Sequence, residues 1–361
     1  MATLRVAVIG AGAFGRNHLR VYRELELAHP ELVQLAALVE PDTERCATFA
    51  STYNIPTFAT LPELFAANLP LDAASICVPT VHHASVAEQL LLAGFDILIE
   101  KPFAATLAQA DHIIHLAHTH SRIVAIGHLE RFNPAVTATM GVLNQPMFFE
   151  SHRLSVFTPR SLDVDVVLDL MIHDLDIVLS LTNSPVCEVR AVGLPILSPK
   201  TDIANVRVAF ESGCVANFTA SRVSTEQVRK LRLFQPHQYL SLDFARQELL
   251  TISIDPAIIA TAIAAGSSPT PASITTVATQ APHTSDHPLP VGAAHPTAGL
   301  SLTKSDIPKG EPLRLELEDF LHAVRSRTQP RVSAQAGREA LALALAINDQ
   351  IAAHAHRAGL L

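Results

Sequence analysis

Charge is scarce in this chain. Of 361 residues only 17% are charged, with 26 Lys and Arg against 34 Asp and Glu and a formal net charge of -8. Clustered cations able to neutralise a phosphate backbone are missing, which excludes nucleic acid as the main partner. A phosphorylated small molecule is still compatible, because it needs only one or two well-placed arginines. Cysteine is also rare: Cys46, Cys77, Cys187 and Cys214 are scattered, each in or beside an apolar stretch, with neither a metal spacing nor a disulfide framework. They read as small buried hydrophobes in a reducing compartment. No apolar run is long enough to span a bilayer, and the first residues lead directly into an apolar strand without a basic segment and long apolar core, so no signal peptide is expected. These absences point to a cytoplasmic protein with no membrane or nucleic-acid partner. The 48% hydrophobic content can bury a large core, and the length suits two domains.

The first third alternates short apolar runs, such as Leu4–Ile9, Val33–Val39, Ala73–Val78 and Phe95–Ile99, with helical patterns such as Ala13–Leu27 and Leu107–His118. Near-continuous apolar strands alternating with helices predict a parallel, doubly wound α/β sheet covered on both faces. After about Gly127 the pattern changes. A long helix is expected over Asp165–Leu181, followed by strands in series from Val186 to Ile252, with a hairpin at Glu211-Ser212-Gly213. That predicts an α+β domain with a large, mostly antiparallel sheet. The expected division is residues 1–126 and 127–361. Residues from about 253 to 310 have no aromatic side chain and are rich in Ala, Thr, Pro, Ser and His, so they are expected to form a weakly structured excursion. Helix returns at Leu313–Ser326 and Ala334–His354.

Gly10-Ala11-Gly12-Ala13-Phe14-Gly15 fits G-x-G-x-x-G after an N-terminal strand and at the opening of a helix. In that context the glycines permit a tight turn, close approach of backbone to a pyrophosphate, and close helix–strand packing, while the helix N-terminus faces the phosphates. Glu40 ends the second strand, where a carboxylate can accept hydrogen bonds from both ribose hydroxyls and repel a 2′-phosphate. NAD is therefore the expected cofactor. Arg45, in the next helix, keeps NADP as the second reading.

Further segments carry chemistry. Glu100-Lys101-Pro102 closes a strand at the carboxyl edge of the sheet, and Pro79-Thr80, with His83 shortly after, ends the preceding strand. Asp169 and His173 stand four apart on the predicted helix and share a face. A carboxylate beside an imidazole favours its protonated form and can fix its tautomer. The competing reading is a solvated polar stripe of Asp165, Asp169, His173 and Asp176 beside Leu168, Ile172, Leu175 and Leu179.

Together these segments resemble the glucose–fructose oxidoreductase/inositol dehydrogenase/MocA-like family over nearly the whole chain, the 253–310 excursion excepted. The resemblance implies a Rossmann domain, an open-faced α+β domain, hydride transfer between nicotinamide and a sugar or cyclitol carbon, and a homo-oligomer, dimer or tetramer. It implies Lys101, Asp169 and His173 as catalytic residues. The expected cofactor contacts are Gly10, Gly12, Ala13, Phe14, Gly15, Glu40, Pro79, Thr80, His83, Glu100 and Lys101. Gly127-His128-Leu129-Glu130-Arg131-Phe132-Asn133-Pro134 looks like the signature of a subgroup that includes UDP-N-acetylglucosamine 3-dehydrogenases. On that likeness Arg131, Asn133, Arg153 and Arg160 are expected to bind substrate, with arginine supplying planar donors to a diphosphate. A free cyclitol or monosaccharide is the alternative substrate, and a non-catalytic dinucleotide-binding regulator the alternative of another class. His112, His115, His118 and His120 lack converging acid or cysteine ligands and read as a solvated helix face, and the adjacent His82 and His83 add no further ligands, so no metal is expected.

Overall fold

The computed structural model describes residues 3–157, 164–254 and 300–359. Strands β1 (Leu4–Ile9), β2 (Val33–Val39), β3 (Thr57–Phe58), β4 (Ala73–Ile76), β5 (Asp96–Glu100) and β6 (Val124–Gly127) form one parallel sheet in the order β3-β2-β1-β4-β5-β6. Helices α1 (Gly15–Ala28), α2 (Thr43–Tyr53), α3 (Leu61–Ala66), α4 (His83–Leu92) and α5 (Leu107–Thr119) connect the strands. All residues of β4 and β5 are buried, as expected of strands covered on both faces. The chain winds outward in opposite directions from β1, toward β2 on one side and β4 on the other, so the crevice of the switch point lies at the carboxyl end of β1. The short β3 and α3 were not expected, since their apolar runs are too brief to show a period.

Helix α6 (Pro134–Met140) leads into the second sheet. Its strands are β7 (Phe148–Val156), β8 (Val186–Leu194), β9 (Ile203–Phe210), β10 (Val215–Ser224), β11 (Val228–Gln235), β12 (Gln238–Asp243), β13 (Glu248–Ile254) and β14 (Leu300–Lys304), in the order β14-β13-β12-β11-β7-β10-β9-β8. Pairing is antiparallel except between β7 and β10. The β9–β10 hairpin turns through Gly213 at φ +85°, a conformation that glycine adopts freely. Helix α7 (Ile172–Thr182) packs on one face, where Ile172, Leu175 and Val178 join Phe149, Val206, Phe218 and Leu231 in a common core.

One expectation is corrected here. The weakly structured excursion does not reach 310, because residues 300–304 are the strand β14, paired with β13, and residues 253–254 end β13; its middle, 255–299, lies outside the described residues. Helices near the C-terminus pack across the expected division at 126/127. Helix α8 (Pro312–Ser326) buries Leu317, Phe320 and Leu321 in the core that holds Val6, Val8, Leu19 and Tyr22 of the first sheet and α1. Helix α9 (Ala334–Arg357) puts Leu341 into the first sheet's other core and Ala344, Ile347 and Ile351 into the second sheet's. A Cβ added at Gly337 of α9 would lie 2.6 Å from the Ile126 side chain, which shows how closely that helix approaches β6. Helix α8 therefore packs with the first sheet, and α9 with both. No helix among the described residues is long and apolar enough to cross a membrane.

Candidate active site

The glycine loop spans β1 and α1 at the switch point. Gly10 has φ +93°, and a Cβ there would meet the Cys77 carbonyl oxygen at 2.9 Å; one on Gly15 would collide with the Gly10 carbonyl at 1.9 Å. A Cβ on Gly12 would meet nothing within 4 Å. Gly10 and Gly15 are thus required by the turn itself, while the space over Gly12 lies open for a pyrophosphate. Ala13 and Phe14 are exposed beside it. Glu40 is buried, its carboxylate accepting the Ala11 N–H at 2.7 Å and the Asp42 N–H at 3.1 Å, with Arg45 at 3.6 Å. These bonds fasten the carboxylate beside the loop. They also bring Arg45 to the same corner, where the sequence already left room for a 2′-phosphate. The glycine cradle and the carboxylate fit a dinucleotide.

Glu100 closes β5 but does not face an open cleft. Its carboxylate meets His18 Nε2 of α1 at 2.8 Å, and Gly127 leaves room for it, since a Cβ there would lie 2.9 Å from the carboxyl carbon. His83 is likewise buried: one ring nitrogen meets the Pro102 carbonyl at 3.0 Å and the other the Val78 carbonyl at 2.9 Å. Glu100 and His83 therefore set the loops that border the cofactor crevice, with Pro79 and Thr80 at the carboxyl end of β4 between them. His18 was not singled out from the sequence, because a histidine on a helix shows no partner until the fold supplies one.

Lys101 reaches across from the first sheet to the second half. Its Nζ donates to the Asp169 carbonyl oxygen at 2.6 Å and lies 3.3 Å from the Asp169 carboxylate. The expected single α-helix differs here: residues Val167–Met171 form a π-helical turn that leads into α7, with the Asp165 carboxylate accepting the N–H groups of Val167 and Leu168. The wider π turn places i and i+4 out of vertical register, and Asp169 has Lys101, not His173, as its partner. The expectation that a carboxylate would favour a protonated His173 is corrected. Burial first, then the charges of Lys101 and Arg153, hold the imidazole well below its usual range. His173 Nδ1 has no partner among the described residues, and the ring stands perpendicular to His128 with centroids 6.2 Å apart. His128 is itself pushed down to about 3 by burial and by Lys101 and Arg131. The solvated-stripe alternative fails on burial: His173 is 9% exposed and Asp176 1%.

The expected substrate residues are mostly spent within the protein. Arg153 is buried and bonds Asp174 through two nitrogens, at 2.8 and 2.9 Å, and Glu130 at 3.1 Å. Arg131 donates to the Asp176 carbonyl oxygen at 3.2 Å and meets its carboxylate at 3.4 Å. Asn133 caps α6 by accepting the Ala135 N–H, and its amide donates to Glu130 and to the Phe244 carbonyl. The signature that suggested a substrate site thus fastens the segment after β6 to α6, α7 and the second sheet, because buried charges need partners and a helix start needs a cap. Arg160 lies outside the described residues.

A family model described as an oxidoreductase family with an NAD-binding Rossmann fold matches residues 4–128. The model of the GFO/IDH/MocA C-terminal domain matches residues 136–235. The chain belongs to this family and is an NAD-binding oxidoreductase. UDP-N-acetylglucosamine 3-dehydrogenase of Acidithiobacillus ferrooxidans is 33% identical over 358 residues, covering 99% of this chain and 100% of the relative. A solved structure of that enzyme has a TM-score of 0.81 and covers 98% of this chain and 99% of its own. Inositol 2-dehydrogenase of Leifsonia xyli is 30% identical over 52% of this chain and 56% of the relative. An Agrobacterium radiobacter oxidoreductase solved with NAD+ shares the fold, with a TM-score of 0.77 at 15% identity over 97% of each chain.

Proposed function

We propose that the enzyme oxidises a secondary alcohol of a sugar, and that the sugar is a UDP-N-acetylhexosamine oxidised at C3. The observation that carries the chemistry is the meeting of Lys101, Asp169 and His173 at the carboxyl edge of the nucleotide-binding sheet. When bound, NAD supplies the hydride acceptor. His173, held neutral, takes the hydroxyl proton as the C–H hydride leaves. The Lys101 ammonium, fixed by Asp169, stabilises the negative charge that develops on the oxygen. Full-length similarity to a UDP-N-acetylglucosamine 3-dehydrogenase favours a nucleotide sugar over a free cyclitol, for which the similarity spans about half the chain. The retained base and ammonium favour an enzyme over a non-catalytic dinucleotide-binding regulator.

The test is NAD reduction followed by absorbance with UDP-N-acetylglucosamine, other UDP-sugars, myo-inositol and free hexoses. Turnover with UDP-N-acetylglucosamine and none with the free polyols is expected. Preferential turnover of myo-inositol would overturn the nucleotide-sugar reading.

A further inference from the structure

The inward cations around His173 have partners within the protein, with one exception among the described residues. Lys101 is held by Asp169, Arg131 by Asp176, and Arg153 by Asp174 and Glu130. Arg229 of β11 makes no ion pair or side-chain hydrogen bond with the described residues. Its backbone is directly opposite Arg153 in the β7–β11 register, and directly opposed residues of an antiparallel pair project to the same side. Its side chain is therefore on the face that carries Phe149, Ser151 and Arg153, the face against which α7 packs. Its carbonyl accepts the Phe244 N–H at 3.0 Å, and the Phe244 ring lies under the Arg153 guanidinium at 5.2 Å. The side chain is half-buried, and its charge reaches the His173 ring. A half-buried guanidinium with no counter-charge among the described residues is a site that an anion would stabilise.

We infer that Arg229 binds the phosphate groups of the substrate and so selects a nucleotide sugar over a neutral one. The inference rests on the nucleotide-sugar reading and names the residue that would recognise it. A guanidinium forms two parallel hydrogen bonds to a phosphate. The neighbouring Arg153 cannot serve, because Asp174 and Glu130 already occupy its donors. Arg229 does not touch the hydroxyl that reacts, so it contributes to holding the substrate and not to proton or hydride transfer.

Steady-state kinetics of the full-length enzyme with NAD and UDP-N-acetylglucosamine test this, together with competitive inhibition by UDP and by uridine. Arg229→Ala is expected to raise KM for the UDP-sugar and Ki for UDP by roughly 10- to 100-fold, the range of a hydrogen bond to a charged group, with kcat within about threefold. Weak inhibition by uridine, which has no phosphate, is expected to be unchanged. Arg229→Lys, which keeps the charge but loses the fork, is expected to recover part of the UDP affinity. NAD binding, measured on both variants, is expected to match the unmodified enzyme. Unchanged KM and UDP Ki in Arg229→Ala, with the unmodified enzyme active on UDP-N-acetylglucosamine, would overturn the role of Arg229 alone. An unmodified enzyme that neither turns over UDP-sugars nor binds UDP would overturn both this inference and the reading beneath it.

Discussion

At the scale of single residues, the proposed chemistry turns on His173. The ring is buried, neutral and set edge to face against His128. His173→Ala is expected to lower turnover by about 10²–10⁴-fold while NAD binding stays nearly intact, as measured by single-turnover hydride transfer and by cofactor titration. Because the fold holds the imidazole unprotonated well below its ordinary range, kcat/KM of the unmodified enzyme should not fall as pH drops through the usual histidine value near 6.5. Near-normal hydride transfer in the alanine variant would refute the assignment. The family resemblance singled out Lys101, Asp169 and His173 as candidates, and the fold brings Lys101 against Asp169; their catalytic roles are part of the proposal. Arg153 misled for a physical reason. An arginine's sequence neighbours do not show whether carboxylates from elsewhere in the chain have taken its donors, and Asp174 and Glu130 have done so here. Arg229 escaped notice for the converse reason, since its lack of a partner among the described residues shows only after folding.

At the scale of elements, the alternation of apolar runs was enough to read the parallel sheet, its glycine loop and most strands of the second sheet. It was not enough to read the π turn at Val167–Met171, because a single extra residue in a helical turn leaves the apolar pattern almost unchanged. Nor could it show that α8, separated from β1 by thirteen strands and seven helices among the described residues, completes that strand's core. Amphipathicity tells that a helix has a buried face but not what buries it. Phe320 is fully buried in that contact. Phe320→Ala is expected to cost about 3–5 kcal/mol of stability, measured by urea unfolding. A loss below about 1 kcal/mol would mean that α8 is not essential to the first sheet.

At the scale of the molecule, several buried polar atoms without partners among the described residues lie near the seam between the halves, among them His18 Nδ1, both nitrogens of His128, Asp176 Oδ2 and both oxygens of Glu316. Burial, then the nearby Glu100 charge, raises Glu316 well above the usual carboxyl range, and burial pushes Asp176 up to about 7. An acid that the fold keeps protonated binds its proton more tightly folded than unfolded. Its contribution is thus fully present below the ordinary glutamate value, near 4.5, and is lost as pH rises through the raised native value. Glu316→Gln is therefore expected to gain in melting temperature relative to the unmodified protein as pH is raised from 5 to 8. A difference constant across that range would show that Glu316 ionises normally. The shared packing of α8 and α9 also bears on how the chain is made. A ribosome releases the glycine loop early, but the hydrophobic surface that α8 covers must wait for residues 312–326 to emerge. For most of translation the nucleotide-binding half carries an uncovered apolar face, the kind of surface that nascent chains expose to chaperones or to one another.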